Sequence, residues 1–175
     1  MRKLIIVTAP RNSGKSTRMW ELFYHYKEIR EYKIGGFITK LFRKGEDKSG
    51  FLLTDLVVGD EFPVALENPP IGEEGWFPMG RRYWFAGAAF NRTHDFFKES
   101  VKSSKGYTHL FVDEAGLLEL DGGGFYASIK MLESDFKGTL VIAVRDVFLE
   151  EFLKKFKFKN LWDIEINKPS KHDEK

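Results

Sequence analysis

The segment Ala9-Pro10-Arg11-Asn12-Ser13-Gly14-Lys15-Ser16-Thr17 has the residue types and spacing to hold a polyphosphate. Backbone N–H groups of such a loop, and of the first helical turn after it, point inward at phosphate oxygens. Gly14 lets the main chain approach closely. Lys15 reaches the β- and γ-phosphates, and the Ser16 hydroxyl stands where it ligates Mg²⁺. Thr17 adds a contact at the α-phosphate. Ala9 stands where the motif ordinarily has its first glycine. If that position needs a positive φ, alanine costs on the order of 1 kcal/mol. The competing explanation is a chance Gly-Lys-Ser in a surface turn. Its place between an apolar run and a helical pattern argues for the phosphate loop.

Such a loop needs a carboxylate for its metal at the end of a neighbouring buried strand. His109-Leu110-Phe111-Val112-Asp113-Glu114 supplies one. Asp113 is the expected Mg²⁺ partner, acting mostly through the ion's water shell. Glu114 can polarise a water for in-line attack on the γ-phosphate, which makes it the candidate general base. A solvated acidic turn is the alternative. Arg145 ends another apolar strand. In phosphate-loop folds with an adjacent Asp-Glu pair, a strand usually lies between the loop strand and the acidic strand. A polar residue at its end faces the γ-phosphate, where Arg145 can stabilise transition-state charge. Pairing with Asp146 or Glu150 at the surface is the other reading. Glu114, Lys15 and Arg145 are thus the catalytic candidates.

These residues need a scaffold of strands alternating with helices. Residues 3–8 form a short, continuous apolar run, the pattern of a strand buried on both faces. Met19, Leu22, Phe23, Tyr26 and Ile29 make one apolar stripe of a helix over residues 15–30. A second strand is expected at 37–41. The stretch 42–85 is rich in Gly, Pro and charge, without a helical period. It reads as an antiparallel β insertion: a hairpin turn at 43–50, then strands at 51–58 and 61–66. Within it, Arg81-Arg82-Tyr83-Trp84-Phe85 mixes cations and rings; its aromatic residues are expected to be mostly buried rather than to form a stacking platform for bases. Helices follow at 86–103, after Gly122-Gly123-Gly124, and at 147–158, with strands at 109–112, 139–144 and 162–166. The expected fold is a single α/β domain over residues 1–167, with a mainly parallel sheet and helices on both faces. Residues 168–175 read as a disordered polar tail.

Composition bounds the possible functions. At 175 residues the chain fits one domain with a sizeable core. It has no cysteine, which removes disulfides, thiolate metal sites and cysteine nucleophiles. Its 28 basic and 26 acidic residues leave a formal charge of +2, which argues against nucleic acid as the main partner. The four histidines show no paired metal spacing. The apolar run near the N-terminus is too short for a signal peptide, and no run suits a membrane span. A soluble, cytoplasmic protein is expected.

The chain resembles the small THEP-type nucleoside triphosphatases, a phosphate-loop family related to RecA-like ATPases. The likeness rests on the phosphate loop, on Gly36-Phe37-Ile38-Thr39 with Arg43 and Gly50-Phe51, and on Asp113-Glu114-Ala115-Gly116-Leu117-Leu118-Glu119-Leu120. It implies a RecA-like strand order and Mg²⁺-dependent hydrolysis of ATP, GTP and other nucleoside triphosphates to the diphosphate and phosphate. It also implies the roles given above for Asp113 and Glu114. Ala9, Ala115, Leu117-Leu118 and Asn167-Lys168 depart from the family pattern. A phosphate-loop kinase acting on a nucleotide or small molecule is the first alternative, although only Arg145 lies in the late region where kinases carry an arginine-rich lid. A nucleotide-gated binding module is the second, with a protein partner left open.

Overall fold

The computed structural model describes residues 2–45, 47–70, 72, 74–102, 106–158 and 162–169. They form one nine-stranded sheet with the order β5-β6-β4-β3-β2-β7-β8-β1-β9. Its parallel part contains β2 (Ile34–Lys44), β7 (His109–Ala115), β8 (Thr139–Arg145), β1 (Arg2–Ala9) and β9 (Trp162–Asn167). The rest continues antiparallel from β2 through β3 (Asp47–Asp55), β4 (Glu61–Leu66), β6 (Tyr83–Ala86) and β5 (Trp76–Met79). The α/β class, the parallel core strands and the antiparallel insertion match expectation; the sheet as a whole is mixed, with four parallel and four antiparallel strand pairs among the described residues.

Strand β1 shows why an unbroken apolar run was needed. Leu4 and Ile6 join the core on one face, and Ile5 and Val7 join a separate cluster on the other. The second cluster seats α1 (Lys15–Lys27) through Met19, Leu22 and Phe23. The first carries α2 (Gly87–Lys102), α4 (Tyr126–Asp135) and α5 (Leu149–Lys155) through Phe97, Ile129, Leu132 and Phe152. Between β7 and α4 lies a short helix, α3 (Leu117–Leu120), which no periodicity announced because it is barely one turn.

Several boundaries differ from expectation for physical reasons. The hairpin joining β2 to β3 is tighter than residues 43–50, since β2 continues to Lys44 and β3 begins at Asp47, with an irregularity between Phe42 and Arg43. The helix expected at 147–158 is a 3₁₀ turn over Asp146–Phe148 followed by α5, which ends at Lys155. There the chain extends, and Phe156 and Phe158 both reach the core fully buried. Of the three rings in β6, Tyr83 and Phe85 are half-buried, but Trp84 is 40% exposed. The two-residue period of a strand sends Trp84 to the opposite face from its neighbours, so it cannot pack with them. The tail expected to be disordered lies, from residue 170 on, outside the described residues. No helix among the described residues is long and apolar enough to cross a membrane.

Candidate functional site

Strand β8 lies between β1 and β7, so three strand ends converge: Ala9, Arg145 and the Asp113-Glu114 pair. Ala9 and Arg145 are register partners. Ala9 is buried and is not among the residues with positive φ, so the missing glycine leaves no strain at that position. The left-handed positions of the loop are Asn12, with φ 60°, and Gly14, with φ 76°. Asn tolerates this region better than most residues, and Gly14 occupies the N-cap position of α1, where any side chain would be strained. Arg11, Asn12, Ser13 and Thr17 are exposed, Ser16 is half-buried, and Pro10 is exposed. Lys15 is only 5% exposed, and its Nζ donates to the Pro10 carbonyl oxygen at 3.1 Å. An ammonium has three donors, so Lys15 holds spare hydrogen-bonding capacity against the loop.

The acidic strand is irregular at Asp113 and Glu114. The β7–β8 register shifts between Val112 and Ala115, and Glu114 takes φ 65°. A bulge in a strand re-aims a side chain. The left-handed conformation costs a glutamate about 1–2 kcal/mol. Consequently Asp113 is 1% exposed while Glu114 beside it is exposed. Asp113 Oδ2 accepts the Thr39 backbone N–H at 2.9 Å. Its Oδ1 is buried and has no partner. Burial, and then the charge of Glu114, push the Asp113 carboxyl up to about 7, against the Thr39 N–H and the Ser16 hydroxyl. Thr39 can reach Asp113 because β2 runs directly against β7. That approach requires Gly36, where a Cβ would sit 2.2 Å from the Phe111 carbonyl oxygen.

Arg145 forms no ion pair with Asp146 or Glu150; its guanidinium lies over the Phe148 ring, 5.4 Å from the centroid. Lys15, Glu114 and Arg145 all line one cavity of about 600 Å³. The structure therefore brings the loop, Asp113, Glu114 and Arg145 to the same end of the sheet. Among the described residues, no three His, Cys, Asp or Glu side chains gather as a metal cluster.

Sequence reasoning gave no role to Glu119. It is 2% exposed, and both its oxygens accept backbone N–H groups: Gly116 at 2.7 Å and Phe125 at 3.0 Å. It ties the exit of β7 to the start of α4. The signal was present as a capping-box spacing, glutamate three residues after Gly116. Burial pushes its carboxyl from 4.5 up to about 7. Unfolded, the group ionises near 4.5; folded, it holds its proton to about 7. Its contribution to stability is therefore fully present below pH 4.5 and declines as pH rises to about 7. Glu119→Gln is expected to abolish this decline, because its amide stays neutral at every pH and, like the protonated acid, keeps one carbonyl oxygen to accept an N–H. Melting temperatures from pH 5 to pH 8 should show wild type falling relative to the variant as pH rises. A constant gap would contradict the assignment.

A family model described as NTPase matches residues 4–171. No curated protein gives a match. The fold is similar to that in the solution structure of a human cancer-related nucleoside triphosphatase, at 20% identity, with a TM-score of 0.69 over 97% of this chain and 90% of that one. With the Ala9–Thr17 loop, β8 and the acidic bulge of β7 at one end of the sheet, and the family match over nearly its whole length, the chain belongs to the THEP-type NTPase family of nucleoside triphosphate hydrolases.

Proposed function

We propose that the protein hydrolyses ATP, GTP and related nucleoside triphosphates to the diphosphate and phosphate in a Mg²⁺-dependent reaction. The observation that carries this reading is the bulge in β7. It buries Asp113 with one oxygen unpartnered and turns Glu114 out into the cavity that Lys15 and Arg145 line.

The loop N–H groups and the positive end of α1 bind the phosphate chain. Lys15 is poised to exchange the Pro10 carbonyl for β- and γ-phosphate oxygens. A buried, unpartnered carboxylate oxygen and the Ser16 hydroxyl form a hard-oxygen donor set that suits Mg²⁺. Asp113 and Ser16 would hold the ion. When bound, it neutralises charge on the β- and γ-phosphates. Glu114 orients a water and accepts its proton as the water oxygen attacks phosphorus and the bond to the β-phosphate oxygen breaks. Arg145 offers its guanidinium to the charge that develops on the γ-phosphoryl oxygens. An exposed Glu114 supports a water-activating role, because its left-handed backbone carries the carboxylate to the cavity wall while Asp113 and Ala115 on either side stay buried.

Calorimetric titration of Lys15→Ala tests the phosphate-loop part. Mg·ATP affinity should fall at least tenfold with the melting temperature preserved; unchanged affinity in the folded variant would remove the assignment. Arg145→Ala should lower kcat by about 10²-fold with little change in nucleotide affinity. Equal losses in kcat/KM and affinity would instead make Arg145 a ground-state contact.

A further inference from the structure

The cavity that begins at Arg11, Asn12 and Lys15 of the loop does not end at Glu114. It holds about 600 Å³ in all, a volume in the range of small-molecule sites. Beyond Glu114 it extends away from β1 and under the antiparallel part of the sheet. There its walls are apolar: Phe51 and Leu53 of β3, Val64 of β4, Phe85 of β6 and Phe90 of α2. On the other side of β1, Pro169 packs within 3.7 Å of the position a Gly14 side chain would take. The apolar chamber and the chain that follows β9 thus flank the phosphate loop on opposite sides.

Two polar features mark the chamber. Tyr83 lines it, and its hydroxyl is buried with no hydrogen-bond partner, an expense proteins seldom leave unanswered. At its rim, the turn between β5 and β6 presents Arg81 and Arg82. Arg82 is engaged by Glu67 at 2.5 Å. Arg81 has no ion-pair partner among the described residues. The cations nearest the loop, Arg11, Lys15 and Arg145, are accounted for by a phosphate chain; Arg81 is not.

We infer that the chamber is a second ligand site, adjoining the terminal phosphate, for a small organic anion with an aromatic or alicyclic body. The body packs against Phe51, Val64 and Phe85, and the anionic group meets Arg81. This rests on the proposed function for the placing of the phosphates. Such a ligand would sit beside Glu114 and couple its own binding to turnover.

Ligand-observed NMR on the full chain with 2-naphthoate as probe, and naphthalene-2-methanol as its neutral counterpart, tests the inference. Wild type should bind 2-naphthoate more tightly than the alcohol. Arg81→Ala should weaken the acid at least fivefold and leave the alcohol unchanged. Met79→Trp, which fills the chamber from the hairpin, should weaken both. Bound 2-naphthoate should persist in saturating Mg·tripolyphosphate and in saturating Mg·ATP. Absence of binding, or binding insensitive to both variants, would overturn the inference. Displacement by Mg·ATP but not by Mg·tripolyphosphate would also overturn it, by making the chamber the nucleoside pocket. Displacement by both would do so by placing the probe among the phosphates. Mg·ATP titrated in the same samples keeps the two readings apart: loss of nucleotide binding counts against the proposed function, loss of probe binding against the second site.

Discussion

Glu114→Gln is expected to lower kcat for both ATP and GTP by about 10²–10⁴-fold, the usual contribution of a general base. Nucleotide affinity should change by less than about threefold. Glutamine has the same shape and the same left-handed backbone to occupy, but it cannot take a proton from water. A loss confined to kcat is the signature of an interaction made in the transition state. Single-turnover hydrolysis and calorimetry on the same preparation separate the two quantities. If Glu114→Gln hydrolyses at the wild-type rate, Glu114 is not the base, and the strain stored at φ 65° needs another explanation.

Asp113→Asn should divide stability from function. Asparagine retains an acceptor for the Thr39 N–H and turns its amide toward the Ser16 hydroxyl, so the fold loses little. The melting temperature is expected within about 3 °C of wild type, the shift that a change of about 1 kcal/mol produces in a chain of this size. The buried anionic oxygen that suits Mg²⁺ is lost. Mg²⁺-dependent nucleotide affinity should therefore fall at least tenfold, and turnover with it, whereas affinity measured in EDTA should be nearly unchanged. Asp113 and its neighbour thus fail differently, one in binding and turnover together, the other in turnover alone. Equal affinity losses with and without Mg²⁺ would show that Asp113 serves the fold of the loop and not the ion.

The parts of the molecule legible in the sequence are those governed by local chemistry. The loop from Ala9 to Thr17 was legible as the turn from β1 into α1, because a glycine, a lysine and a hydroxyl in series follow an unbroken apolar run and open a helical stripe. The parallel strands were readable because β1, β7 and β8 bury both faces, which leaves an unbroken apolar run. Strand order within the sheet is a tertiary property; the place of β8 between β1 and β7 came from the acidic-pair pattern rather than from hydrophobicity. The bulge at Glu114 was not readable, since Ala115 looks like an ordinary strand residue until the register with Val144 is known. Glu119 was overlooked because its spacing from Gly116 is also what a surface turn would show; only its burial distinguishes it. Trp84 was misplaced for a related reason. Composition counts rings, but the alternation of a strand decides which ring meets the core.

Hydrolysis of ATP and of GTP in H₂¹⁸O with Mg²⁺, followed by mass analysis of both products, decides whether water attacks the γ-phosphorus. Attack of a Glu114-oriented water on the γ-phosphorus predicts one ¹⁸O atom in each released phosphate and none in the diphosphate. Label in the diphosphate, or no phosphate released with either nucleotide, would contradict it.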